Sequence, residues 1–176
     1  KYRGMTIAEA AELRGETPEE AIVNLIIEDG SRIQCIYFSM SEDNVRKKIM
    51  LPWVSFDSDA GSYSDISKDF ITHPRAFGSF ARVLGKYVRE EKLISMEEAI
   101  KRLSGFPSDN LGIKNRGYLR IGYFADIVVF DPDKIQDKAT FEDPLQFAEG
   151  VEHVFVNGVQ VLSNGDHTGN FPGRFV

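Results

Sequence analysis

Apolar residues recur at three- and four-residue steps through the first thirty positions, the signature of helices with one buried face. Thr6 and Glu9 have the spacing of a capping box, Ile7, Ala10 and Ala11 fall on one side, and Gly15 ends the segment. The run Thr17-Pro18-Glu19-Glu20 then combines a cap residue, a proline at the first helical position and an acid at the third. Ala21, Ile22, Leu25 and Ile26 form the expected buried stripe of this second helix, and Gly30 stops it. The rhythm changes at "RIQCIYF" (32–38), which is short, continuous and rich in β-formers and predicts a buried strand. "SEDNVRKKIM" (41–50) predicts a helix capped by Ser41, its acids first and its bases last, as the helix dipole prefers. "WVSF" (53–56) predicts another strand. Strand, helix, strand with short connections is a βαβ unit, which implies parallel strands in a sheet covered by helices.

A loop rich in Gly, Ser, Tyr and Asp follows (57–72). Phe77, Phe80, Leu84, Tyr87 and Val88 then recur at helical spacing. Ser95 and Glu98 box a further helix start, with Met96, Ala99, Ile100 and Leu103 facing in. The charged strip "KYVREEKLISMEEAIKRL" reads as a solvated helix surface. From Gly105 onward, glycines and prolines punctuate short β-rich runs: "GYLRIG", "ADIVVFDP" and "VEHVFVNGVQVLSNG". Asn157-Gly158, between Val154/Val156 and Val159/Val161, is a two-residue hairpin signal. The pattern divides the chain near residue 105, into an α/β part over 1–104 and a β-rich part over 105–176.

Composition narrows the function classes. The chain has 176 residues, 42% hydrophobic and 27% charged, which suits one soluble globular domain or part of a larger one. A net charge of −6 and a pI near 5.1 argue against nucleic acid or an anionic membrane as partner. No apolar run approaches the ~20 residues of a membrane-spanning helix. Without a signal-peptide pattern the cytoplasm is the expected compartment. A chain that begins without Met and enters at once into a capped helix is what a piece of a longer protein would give. The single cysteine, Cys35, cannot form an internal disulfide and is expected to be buried and inert. Phosphate-loop glycine spacing is absent.

Several stretches, in order, resemble one known family. "GYLRIGYFADIVVFDP" (117–132) is similar to the segment by which metal-dependent amidohydrolases leave their barrel and return to a small β domain. "HVFVNGVQVLSNGDHTGNFPGRFV" (153–176) is similar to the end of such chains. "SDAGSY", "THPRAFGSFARVLGKYVREE" and "ATFEDPLQFAEGVEHVFVNG" narrow the resemblance to the D-aminoacylases, the N-acyl-D-amino-acid deacylases, over nearly the whole chain. The resemblance implies an α/β fold in which residues 1–104 are the last βα units of a TIM-type (β/α)8 barrel and 105–176 the C-terminal part of the small β domain. It implies hydrolysis of the amide of an N-acyl-D-amino acid by water activated at one or two zinc ions.

The candidate residues follow. On a strand, Asp57 and Asp59 point to one face with Ser58 on the other. Acids after "WVSF" either open a polar loop or stand at the barrel mouth, where TIM-type catalysis occurs. The resemblance selects Asp59, as the general base and acid of amide hydrolysis and a possible metal ligand; Asp57 departs from the family pattern. His73 and Arg75, in "THPRAFG", either shape the helix entry or serve the pocket. There His73 would line it or hydrogen-bond behind it, and Arg75 would hold a substrate carboxylate or hold Asp59. Tyr63 would touch substrate or pack on its own protein. His153 and His167 are alone on the hairpin and read as structural, and Asp126 reads as a backbone hydrogen-bonding residue at the entry to the β domain.

The chain has three histidines and no His-x-His pair, and the resemblance implies that the remaining zinc ligands lie in early barrel strands, in a missing N-terminal portion of the barrel. Two readings stand. In one, the chain is the C-terminal portion of a zinc-dependent D-aminoacylase, inactive alone. In the other, it is a non-catalytic module that binds a partner, or a second copy of itself as a homo-oligomer, through the surface that once met the barrel.

Overall fold

The computed structural model describes residues 1–31, 33–61 and 72–176, which divide into two compact units, Lys1–Ser39 and Met40–Val176. The first unit is a helical hairpin of α1 (Ile7–Arg14) and α2 (Pro18–Asp29). Both helices begin with the expected capping boxes. Thr6 Oγ1 accepts from the Glu9 N–H at 3.2 Å while Glu9 accepts from the Thr6 N–H at 2.7 Å, and Thr17 and Glu20 repeat the exchange at 3.3 and 3.0 Å. Gly15 and Gly30 close them at φ +70° and +65°, which suits residues without a Cβ. Ala10, Ala11 and Ala21 are buried, small side chains that let two helices approach closely, and Arg14 bridges Glu16 (2.9 Å) and Glu28 (2.6 Å). The expected stripe on α2 is narrower than its sequence: Ile22 and Ile26 remain about half exposed.

The strand expected at 32–38 does not form among residues 33–38, and Cys35 is exposed rather than buried, as are Tyr37 and Phe38. The strand expected at 53–56 is likewise unpaired. A parallel strand exists only by exchanging backbone hydrogen bonds with neighbours, and the described residues form no ladder with either segment. The intervening helix α3 (Glu42–Ile49) forms as expected, with Ser41 Oγ accepting from the Asn44 N–H at 3.3 Å.

In the second unit the helix expected around Phe77–Val88 runs as α4 (Arg75–Arg82) and continues as a π-helical segment, Val83–Glu90. Leu84, Tyr87 and Val88 face inward, whereas Phe80 is half exposed. In α5 (Met96–Leu103), Ser95 Oγ caps the Glu98 N–H at 3.2 Å, but Glu98 turns to Lys101 (3.5 Å) instead of completing the box. Ala99 is fully buried and Ile100 points outward. A short helix α6 (Gly105–Leu111) occupies the start of the stretch expected to be β-rich, and "GYLRIG" forms turns with Gly117 and Gly122 at positive φ.

The sheet is antiparallel, in the order β1 (Ile127–Phe130), β2 (Val151–Val156), β3 (Val159–Ser163), β4 (Asp166–His167). Asn157 and Gly158, at φ +51° and +80°, make the expected two-residue hairpin turn. Asp126 takes the role read for it: its Oδ1 accepts from the Asn157 N–H at 2.8 Å, and Arg116 pairs with both Asp126 and Asn157. Among the described residues no helix is long and apolar enough to cross a membrane.

The core lies where α4, the π segment and α5 meet residues 131–151. Ala81, Val83, Leu84, Val88, Ala99 and Ile135 form its centre, with Phe56, Met96, Leu103, Phe130 and Val151 packed around it. Residues 135–137 cross the helix at two glycines. A Cβ on Gly85 would stand 2.6 Å from the Ile135 carbonyl oxygen, and one on Gly78 would stand 3.0 Å from the Asp137 Cβ. Arg89 donates to the Ile135 carbonyl (2.6 Å) and Arg82 pairs with Asp137 (2.9 Å), so both sides of the crossing are tied. α3 is joined to the same helix through Glu42, which pairs with Lys86 and accepts from the Tyr87 hydroxyl (2.8 Å), and through Arg46–Glu91 (2.7 Å).

Gly85→Ala would gain about 1 kcal/mol in a free helix. Here the added methyl must displace a backbone carbonyl, so the expected outcome is a loss of roughly 1–3 kcal/mol in urea denaturation. A stabilised variant would show that the crossing does not press on the helix.

Candidate active site

Phe56 is the last residue of its run to pack into the core; beyond it the chain turns outward. Asp57 Oδ1 accepts from the Ser58 N–H at 2.7 Å, so this carboxylate is engaged in shaping the turn. Asp59 lies at φ +46°, in the left-handed region that aspartate tolerates better than most residues. That conformation breaks the alternation of a strand. The expectation that Asp57 and Asp59 share one strand face is therefore corrected: the two carboxylates serve different partners.

Asp59 is open to solvent, its side chain 83% exposed, and its Oδ2 lies 2.9 Å from Arg75 Nη2. Arg75 is the first residue of α4, and its backbone N–H donates to His73 Nδ1 at 3.0 Å. His73 also meets the Phe141 ring edge-on, at 5.1 Å between centroids. Burial, and secondarily the Arg75 charge, hold the His73 imidazolium unfavourable and push its pKa below the ordinary histidine range. The ring is neutral at neutral pH, and because Nδ1 accepts, Nε2 carries the proton and is the donor. Asp59, Arg75 and His73 are thus one constellation: carboxylate, guanidinium and neutral imidazole within a single chain of contacts. Of the two roles read for Arg75, the observed one is holding Asp59. Tyr63 lies outside the described residues.

Beside the constellation runs an open groove of about 420 Å³, lined by Ser58, Ala60 and Gly61 on one side and Ala76, Phe77, Phe80 and Phe147 on the other. Phe77 and Phe147 meet edge-on at 5.6 Å. Sequence periodicity placed Phe77 and Phe80 at helical spacing, and nothing local marked Phe147 as their partner. His153 and His167 stay apart from this site. His153 Nδ1 lies 3.3 Å from Gln160 Nε2, and His167 Nδ1 accepts from the Gly169 N–H at 3.0 Å, as structural histidines would. Among the described residues no group of three or more His, Cys, Asp or Glu side chains converges as a metal site.

The residue that sequence reading missed is Arg102. It sits in a strip read as solvated, yet it is 1% exposed. Its Nε donates to the Val54 carbonyl at 2.5 Å and its Nη1 to the Ile49 carbonyl at 2.6 Å, and the guanidinium lies 4.5 Å from the centroid of the Phe56 ring. Desolvation lowers its pKa, although a guanidinium stays charged at any working pH. Position on a helix gave one signal: three residues after the buried Ala99, it lies on the inward face.

A sequence model described as the amidohydrolase family matches residues 4–162. N-acyl-D-glutamate deacylase of Alcaligenes xylosoxydans xylosoxydans is 39% identical over 80% of this chain and 28% of its own length. D-aminoacylase of the same organism is 36% identical over 97% of this chain and 33% of its own length. The crystal structure of N-acyl-D-glutamate deacylase from Bordetella bronchiseptica, complexed with zinc and a phosphonate mimic of the tetrahedral intermediate, superposes with a TM-score of 0.79 at 38% identity, covering 89% of this chain and 31% of that one. The chain therefore spans about a third of the length of these proteins.

In an NMR titration, the His73 imidazole is expected to protonate below about pH 6.5, the ordinary histidine value. Arg75→Gln should raise that midpoint only part of the way, because burial is the larger cause. The unfolded chain then takes up a proton, as pH falls through about 6.5, that folded His73 refuses. This group's contribution to stability is full above that pH and is lost on acidification toward its folded pKa. A midpoint above 6.5 would refute the neutral assignment.

Proposed function

The chain belongs to the amidohydrolase family, and from that premise we propose that it is the C-terminal portion of a zinc-dependent hydrolase of N-acyl-D-amino acids, inactive alone. Residues 1–104 would be the last βα units of its barrel and residues 105–176 the C-terminal share of its small β domain; the division after Ser39 falls inside the first of these. What supports the activity is the placement of Asp59: it follows a run, 53–56, that forms no ladder with the described residues, is open to solvent, and is paired with Arg75 at 2.9 Å. A carboxylate so placed takes a proton from the attacking water and returns it to the leaving amide nitrogen. Arg75 fixes that carboxylate and, with its other donors, reaches toward a substrate carboxylate. His73, neutral, offers Nε2–H as a hydrogen-bond donor.

Zinc would polarise the acyl carbonyl and sharpen the water as a nucleophile. The described residues do not by themselves fit it: a structural or hydrolytic zinc takes three or four protein ligands, no three His, Cys, Asp or Glu side chains converge among them, and Asp59 is already paired with a guanidinium. The other ligands belong to the remaining two thirds of the protein. The unpaired runs at 33–38 and 53–56 agree with this, since barrel strands obtain their ladders from neighbours. The second reading, a self-associating module without catalysis, draws on the exposure of Tyr37, Phe38, Met40 and Trp53.

In the complete protein, hydrolysis of N-acetyl-D-methionine is expected with zinc bound and is expected to fail for the L isomer and after zinc removal; the 176-residue chain alone should be zinc-free and inert. Asp59→Ala should lower kcat by about 10²–10⁴-fold with the fold intact. Activity retained in that variant would remove Asp59 from the chemistry. A complete protein dead on both isomers, beside a 176-residue chain that elutes as a defined oligomer, would favour the module.

A further inference from the structure

We propose that Arg102 is a positioning residue for the hydrolysis assigned above: it fixes the backbone run that delivers Asp59. The proposal rests on that hydrolase reading and goes beyond it to a residue far from the reacting atoms in sequence. Arg102 grips residues 54–56 at three points. Its Nε donates to the Val54 carbonyl (2.5 Å), its own backbone carbonyl accepts from the Phe56 N–H (3.4 Å), and its guanidinium lies over the Phe56 ring at 4.5 Å. A fourth contact, Nη1 to the Ile49 carbonyl at 2.6 Å, ties the same side chain to the C-terminal end of α3.

The arrangement is costly for stability alone. Arg102 is 1% exposed; among the described residues no carboxylate lies within ion-pair distance of it and its Nη2 has no hydrogen-bond partner, and the charge of Glu98 offsets only part of the desolvation. An apolar side chain of similar volume would fill this place without burying a charge. The compensation available is the partial negative charge of the α3 carbonyl end, together with directed bonds that only a planar fork can make at once. Those bonds define where residues 54–56 run, and Asp59 follows three residues later.

Among the described residues little else holds the chain between Phe56 and Asp59: the Ser58 N–H donates to the Asp57 carboxylate, and Asp59 sits at φ +46° with its side chain exposed. Asp59 is therefore located from two ends: its carboxylate by Arg75 and its backbone by Arg102. Loosening the backbone end lets the carboxylate drift from the reacting atoms, and a drift of about 1 Å costs up to 10²-fold in rate. Substrate binding, made by other groups, is untouched by that drift.

The test is steady-state kinetics of the complete zinc-loaded enzyme on an N-acetyl-D-amino acid, comparing the parent with Arg102→Met and Arg102→Lys. Methionine keeps the apolar stem without the donors; lysine keeps one directed donor. The expected result is a kcat lowered by about ten- to a hundred-fold in Arg102→Met, with KM and zinc content unchanged and kcat partly restored in Arg102→Lys. A folded Arg102→Met enzyme with parental kcat overturns the proposal even though the parent is active. Failure of both variants to fold would assign Arg102 to folding alone and overturn it as well. A parent inert toward the substrate would instead strike the hydrolase reading itself.

Discussion

The second unit is organised by one steric fact, the passage of residues 135–137 across a helix at two positions, Gly78 and Gly85, that carry no side chain. With Gly78 and Gly85 beneath it, the segment lies at van der Waals contact with the helix, and Ile135 is driven into the centre of the core. Gly150, at φ +86°, is pressed against the other side of Ile135, where a Cβ would come within 2.5 Å of its nitrogen. Gln136 and Glu149 exchange backbone hydrogen bonds at 3.2 and 3.0 Å just before β2 begins. Helix, crossing segment and sheet are thereby set by a contact that tolerates almost no added volume, and the helix that carries Arg75 at its first residue is held with them.

Electrostatics build outward from that frame. Arg82 and Arg89 flank the crossing, one to a carboxylate and one to a carbonyl, while Glu42 and Glu91 draw α3 onto the same helix. These partners are partly exposed, so each pair contributes little on its own. Their effect is one of registration. The helix start, where Arg75 meets both His73 and Asp59, is placed by apolar packing two turns away and trimmed by charge.

Much of this was legible in the sequence wherever structure is local. The capping boxes at Thr6 and Thr17, the glycine stops and the Asn157-Gly158 turn are encoded within four or five residues and form as read. The runs at 32–38 and 53–56 were read as strands from composition, but a strand's hydrogen bonds belong to its neighbours, and among the described residues none forms a ladder with 33–38 or 53–56. The site divided in the same way. The pairing of Arg75 with Asp59 was one of two roles read for Arg75, whereas the separation of Asp59 from Asp57 was not, because it depends on a positive φ at Asp59 that no strand pattern announces. Arg102 escaped because a basic residue in a run of acids and bases looks solvated; only the fold places it under Phe56.

The hairpin turn carries a further consequence, for chemical ageing. Asn-Gly is the dipeptide most prone to spontaneous cyclisation, in which the glycine nitrogen attacks the asparagine side-chain carbonyl and the amide is lost. At Asn157-Gly158 both reactants are occupied: the Gly158 N–H donates to the Ala125 carbonyl at 2.9 Å, and the side-chain amide is held by Arg116 at 2.6 Å and by the Pro172 carbonyl at 2.7 Å. The contacts that anchor the hairpin to the segment entering the sheet therefore also guard its most perishable bond, so that the shape of this turn and its chemical lifetime have a single cause.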